Sequence, residues 1–424
     1  MKRIGFNAGG RVTAIVGLAA ALSLGLAACG GGGTSDSQSS PTSGGSDGAA
    51  DGQVTIEVWD YLGQGVSHTA MEDAVAAFEA ANPDIKVHRT SFAYADLAKS
   101  IVQGGVGGSV PDVAIVDVVD TQNFASLGLL KDVSAETQGM ESEFYEGPWS
   151  STQVDGKTFG LPLNSNNLAL YYDKAAFEEA GVSVPLNWDE LRSTAKALTT
   201  SDRFGIAMSG AKNEQGTFQF LPFLWQTGGD LDTYATDGAT ALGFMHDLID
   251  DGSMSSSVAN FSQEDARTQF VNGQSAMMIN GPWELQNLQE SDVDFGVAPL
   301  PTGKVAATGL GGENVVVFDK ATQPEAAVKF LTFLTGTDGA KIYCDGSGQL
   351  SSRVDLEGQL KLSADPNMKV FEDQLGVAHA RAYGAKYNEI SAAVQESLQK
   401  VLTGAQDPQT AAADAAKVIE PLLP

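Results

Sequence analysis

From Val54 to Val116 the chain alternates short apolar segments with longer helix-periodic ones, and this alternation restricts the fold more than any other feature. Val54, Ile56 and Val58 alternate with Thr55, Glu57 and Trp59, which is a strand pattern. After Gly63 and Gly65 a helical period follows at Met71, Ala74, Val75 and Phe78, stopped by Asn82-Pro83. Ile85-Lys86-Val87 reads as a second strand and Asp96 to Gln103 as a second helix. Pro111-Asp112 then leads into Val113-Ala114-Ile115-Val116, an apolar run typical of a strand buried on both faces. Strand, helix, strand, helix, strand is the signature of an α/β unit with a parallel sheet.

A second unit follows Leu161-Pro162-Leu163. Strands are expected at 168–172, 204–208, 276–279, 295–297 and 315–318. Asn187-Trp188-Asp189-Glu190 resembles a capping box opening a helix to about Leu198. Further helices are expected near 242–249, 264–270 and 326–334, around Ile390 to Val401, and after Pro408. The glycine run 104–108 lies between a helix and a strand. A dinucleotide fingerprint needs the reverse order, so the run reads as a loop.

The chain starts with Lys2, Arg3 and Arg11, followed by an apolar run of 15 residues from Val12 to Leu26. That run is short of the ~20 residues needed to span a bilayer. With small residues at a cleavage point, it reads as a secretory signal. Leu26-Ala27-Ala28-Cys29 resembles a bacterial lipobox, which implies removal of residues 1–28 and a lipid on the Cys29 sulfur. Residues 29–52 are rich in Gly, Ser, Thr and Asp and read as a disordered tether. A flexible coil of that length spans roughly 25 Å. The expected location is extracytoplasmic, lipid-anchored to the cell membrane.

Net charge is −28, and cleavage before Cys29 removes three basic and no acidic residues, leaving −31. Nucleic acid and anionic membrane surfaces are poor partners for such a chain. With Cys29 lipidated, only Cys344 remains, so no intrachain disulfide forms and a buried inert thiol is expected. The motif for a phosphate-binding loop is absent, and the four histidines lie apart, with no metal-ligand pair. Ser193-Thr194-Ala195-Lys196 matches S-x-x-K, but it sits inside an amphipathic helical pattern without its companion motifs. No cofactor, metal or catalytic residue is expected.

Several strings, in order, resemble the extracellular solute-binding proteins of bacterial ABC importers, specifically the carbohydrate-binding, maltose-binding-protein-like group. They are Val54–Trp59, Phe78-Glu-Ala-Ala-Asn-Pro83, Val110-Pro-Asp-Val-Ala-Ile-Val-Asp117, Asp155-Gly-Lys-Thr-Phe-Gly-Leu-Pro162, Leu170-Tyr-Tyr-Asp-Lys174, Trp188-Asp-Glu-Leu191 and Phe270 to Trp283. The resemblance implies an α/β fold of two discontinuous lobes with a central hinged cleft. By analogy lobe 1 comprises 53–162 plus about 315–345, and lobe 2 comprises 163–314 plus about 346–424. It implies a monomeric receptor, not an enzyme, that captures a sugar and delivers it to membrane permease subunits. Several aromatic candidates favour a di- or oligosaccharide. An exported glycoside hydrolase, or a surface sugar sensor or adhesin on the same scaffold, are the competing functions.

A sugar presents apolar C–H faces and a rim of hydroxyls, so its site needs aromatics and planar acceptors. In open α/β sheets such residues belong at strand ends. Tyr61 ends the first strand, with Trp59 and Asp60 beside it, and Asp117 ends the third, where the resembled family often places a sugar-binding acid. Asp120 is a weaker candidate. Asn164 and Asn166, with Ser165, sit at the expected first crossing between lobes. Trp225 and Trp283 match family positions that commonly stack on sugars. Glu313 follows Gly311-Gly312, where small residues let backbone approach a ligand. Arg381, Tyr383 and Tyr387 are the C-terminal candidates.

Overall fold

A computed structural model describes residues 53–424. The leader, Cys29 and the tether lie outside the described residues. Among the described residues no helix is long and apolar enough to cross a membrane.

The first lobe is built on β1 (Val54–Asp60), β2 (Ile85–Ser91) and β3 (Val113–Asp117). These pair in parallel in the order β2, β1, β3. Glu313–Val317 adds antiparallel to β3, and Leu161–Pro162 pairs antiparallel with Glu313–Val317 on its far side. Every residue of β3 is buried because the sheet is covered on both faces. Val113 and Ile115 join one core with α1 (Gly65–Ala81) and the helices at 324–334 and 337–347. Ala114 and Val116 join another with Leu97 and Ile101 of α2 (Tyr94–Gly107).

Local chemistry explains several boundaries. Asn82 stops α1 by donating its backbone N–H and its side-chain amide to the Phe78 carbonyl, at 2.9 and 3.0 Å. The Asp112 carboxylate accepts from the Glu57 N–H at 2.9 Å, from the Gln323 N–H at 3.0 Å, and from both the N–H and the hydroxyl of Thr322. One buried side chain thereby fastens β1, the strand it precedes and the start of the helix Pro324–Leu334. Cys344 is buried in this lobe's core, where burial pushes its thiol pKa up.

The second lobe carries an antiparallel three-stranded sheet in the order Phe295–Ala298, Ala169–Asp173, Met277–Asn280. One face packs on a core shared by helices Glu214–Gln226, Ala239–Asp250, Tyr387–Leu402 and Pro408–Ile419. The other packs on Leu285, Leu288, Met368 and Phe371. Asn187 caps the helix Trp188–Leu198 by accepting from the Glu190 N–H at 3.0 Å, as the capping pattern requires.

Between the lobes three segments run side by side. Asn164 and Ser165 pair with Ser351 and Leu350, and Asn166 exchanges backbone hydrogen bonds with Gly311 at 3.0 and 2.9 Å. The Leu163 N–H donates to the Glu313 carbonyl at 2.8 Å. Gly312 adopts φ +142°, and a Cβ there would lie 2.3 Å from the Asn164 carbonyl oxygen.

Two readings of local structure change. Residues 104–107 are helical, the last turn of α2, and only Gly108, at φ +77°, leaves the helix. A Cβ on Gly104 would meet the Ser109 carbonyl oxygen at 2.4 Å, and one on Gly105 the Leu129 side chain at 2.5 Å, so packing selects glycine here despite its poor helix propensity. Residues 204–208 form isolated bridges, Phe204 with Ser275 and Ala207 with Met278, in place of a regular strand.

Candidate functional site

The ends of β3 and of the strand Glu313–Val317 meet at the junction of the lobes. Antiparallel pairing sets Glu313 directly opposite Asp117, and both are buried, at 7% and 9% exposure. Tyr61 follows β1 and donates its hydroxyl to Glu313 Oε1 at 2.8 Å. Its ring meets Tyr94 edge-on at 4.9 Å, and the Tyr94 hydroxyl donates to Asp117 Oδ2 at 2.8 Å. Arg381 enters from the second lobe, 5% exposed. Its Nη2 donates to Asp117 Oδ1 at 3.1 Å and its Nη1 to Glu214 Oε1. Its guanidinium carbon lies 4.4 Å from the centre of the Phe218 ring, a cation–π arrangement.

The two facing carboxyls differ in charge environment. Asp117 has the guanidinium. Glu313 has none in contact, and burial pushes its pKa up to about 7, against the pull of the Tyr61 hydroxyl. The Asn164 amide stands beside Glu313 and also lowers its pKa, although its geometry falls short of a hydrogen bond. Burial also pushes the Glu214 carboxyl up, with Arg381 opposing it.

Several buried polar atoms here have no hydrogen-bond partner in the protein: both amide atoms of Asn164, Ser165 Oγ, Glu313 Oε2, Gln349 Oε1 and Arg381 Nε. Such atoms are rare in folded interiors and point to an outside partner. A narrow opening with about 20 Å³ of free space, room for about one water, is lined by Val118, Gln122 and Ser151 of the first lobe and by Gly311, Ala380 and Arg381 of the second. Among the described residues no group of acidic, histidine or cysteine side chains has the arrangement of a metal site.

The structure thus brings together Tyr61, Asp117, Asn164, Glu313 and Arg381. Asn166 is buried next to them through its pairing with Gly311. Trp225 is 2% exposed and packs in the core of the second lobe. Its indole N–H donates to Asp230 at 3.1 Å and to the Tyr383 hydroxyl at 3.0 Å. His379 stacks on its face at 5.1 Å. Trp283 is partly buried against the same core. Sequence reasoning missed Tyr94, Glu214 and Phe218. The available signal for Glu214 was its place in the first turn after Asn213, which caps an otherwise buried helix.

Residues 64–341 match the bacterial extracellular solute-binding protein family. The chain is 24% identical over 437 residues to the maltooligosaccharide ABC transporter solute-binding lipoprotein of Streptococcus pneumoniae (strain ATCC BAA-255 / R6), covering 96% of each. It is 24% identical over 423 residues to the galactooligosaccharide-binding protein of Bacillus subtilis (strain 168), covering 94% of each. The maltose-bound structure of T. maritima MalE3 matches with a TM-score of 0.79 and 30% identity, covering 87% of this chain and all of that one, 100%. By family and by its two-lobe α/β fold, the chain belongs to the bacterial extracellular solute-binding proteins.

Proposed function

We propose that this chain is the sugar receptor of an ABC importer: it captures a di- or oligosaccharide between its lobes and hands it to a membrane permease. The observation that carries this reading is the set of buried, unpartnered donors and acceptors at Asn164, Ser165, Glu313, Gln349 and Arg381. Sugar hydroxyls both donate and accept, and so can satisfy such a mixed set. The names of the relatives, which include maltooligosaccharide- and galactooligosaccharide-binding proteins and a maltose complex, support the carbohydrate class.

In this reading Tyr61, Asp117, Asn164, Asn166, Glu313 and Arg381 form the polar wall, with Trp283 as a stacking surface. Trp225 would contribute only if His379 moved off its face. The protein binds and releases without changing a covalent bond. A lipid on Cys29, added as the leader is removed, anchors it at the outer face of the membrane, in keeping with the lipoprotein named among its relatives. A thermal-shift screen against maltooligosaccharides, galactooligosaccharides and monosaccharides tests the reading. A sugar at 100 times its Kd adds ~2.7 kcal/mol to stability. If no sugar raises the melting temperature, the carbohydrate assignment fails.

A further inference from the structure

The segment 378–388 of the second lobe crosses to the first. Its strand Ala378–Ala380 pairs with Thr308–Leu310, which fixes its base. Three hydrogen bonds then leave it for the first lobe. Arg381 donates to Asp117, Asn388 Nδ2 donates to Asp120 Oδ1 at 3.1 Å, and the Ala385 carbonyl accepts from Asn123 Nδ2 at 2.9 Å. All three land within residues 117–123.

Arg381 is held from behind by its own lobe. Glu214 accepts from it, from the Tyr387 hydroxyl at 2.6 Å and from the Ser391 hydroxyl, while Phe218 lies against the guanidinium face. The receiving Asp117 is held by its own lobe as well, by the Tyr94 hydroxyl and by the Val119 N–H at 3.2 Å. Each half is therefore preorganised, and when the lobes meet the Arg381–Asp117 ion pair forms beside the two uncharged-donor hydrogen bonds at Asn388 and Ala385. If Arg381 were neutral, closure would bury Asp117 near Glu214 with no counter-charge, which is strongly unfavourable.

We propose that Arg381 is an interlobe latch, aimed by Glu214 as a positioning residue, which holds the lobes together through contacts the protein makes with itself. The proposal rests on the reading of this chain as a hinge-closing receptor, but not on which solute it binds. The latch raises the population of the closed form before a solute arrives. A solute that favours the closed form is then bound more tightly by the factor that the latch adds to that population.

Small-angle scattering of the purified sugar-free protein tests this. Wild type is expected to be compact. Arg381→Met and Asp117→Asn, one from each lobe, are expected to show a larger radius of gyration with unchanged far-ultraviolet circular dichroism. Glu214→Gln, which leaves the charges of the latch in place but loosens its aim, is expected to fall between them. Arg381→Lys, which keeps the charge, is expected to recover part of the compactness. A merely structural role would lower the melting temperature without opening the folded form. The proposal is overturned if Asp117→Asn, folded, scatters as wild type does, or if sugar-free wild type is already as extended as Arg381→Met. Adding maltotriose to each sample examines the sugar reading separately, because the sugar-free comparison decides the latch alone.

Discussion

Glu313 and Asp117 face each other across adjacent antiparallel strands, yet only Asp117 is met by a cation, the guanidinium of Arg381. Two like charges directly opposite on a sheet repel. The structure meets this by pairing one carboxyl and holding the other toward its neutral form, with a pKa of about 7.

That asymmetry makes stability depend on pH in an unusual direction for an acid. Glu313 is raised from 4.5 in the unfolded chain to about 7 in the fold, so between these values the folded state holds more protons. Its contribution to stability is complete below about pH 4.5, declines as pH rises, and is lost above about 7. The full effect is on the order of 3 kcal/mol. Glu284 and Asp120, also raised to about 7, act in the same direction. The measurement is therefore denaturant unfolding of wild type against Glu313→Gln from pH 4.5 to 8. The variant should gain on wild type as pH rises. A constant difference across the range would contradict the assignment.

Gly312 should tolerate no side chain. At φ +142° any other residue is strained, by ~1–3 kcal/mol, and a Cβ would also press on the Asn164 carbonyl at 2.3 Å. Gly312→Ala should lower the midpoint of urea unfolding, whereas Gly243→Ala, inside a helix where a Cβ meets nothing within 4 Å, should leave it unchanged or raise it. Equal midpoints for the two variants would show that the crossing is not held as described.

Trp225 and Trp283 should separate by phenotype. Trp225 is enclosed in the second lobe's core, so Trp225→Ala should cost ~3–5 kcal/mol in unfolding measurements whether or not sugar is present. Trp283 is only partly buried, and Trp283→Ala should cost less stability and weaken sugar binding. A Trp225→Ala protein with an unchanged melting curve would place that indole outside the core.

The parts of the fold legible in the sequence were those fixed locally. β1 and β3 stood out by alternation and by an unbroken apolar run, and the helix after Asn187 by its cap. The helix Glu214–Gln226 was not visible because nearly every residue in it is buried, which erases the amphipathic period, and Pro222 and Gly216 argue against a helix. Thr337–Ser347 was hidden by Gly339 and Gly346, which packing requires: a Cβ at Gly339 would meet the Phe333 carbonyl at 2.2 Å. Candidate site residues at strand ends, Tyr61 and Asp117, could be named from position alone. Their grouping could not, because Arg381 is joined to residues 264 and 167 positions away, and only the finished fold sets those distances.

The central claim is that a sugar bridges the lobes at Asn164 and Glu313. Isothermal titration of wild type and Asn164→Ala with the sugar that most raises the melting temperature tests it most directly. One sugar should bind per protein, and Asn164→Ala should weaken binding by about tenfold or more, the loss expected when a buried hydrogen-bonding group is removed. Unchanged affinity in the Asn164→Ala protein, or no heat of binding with wild type, would contradict the account.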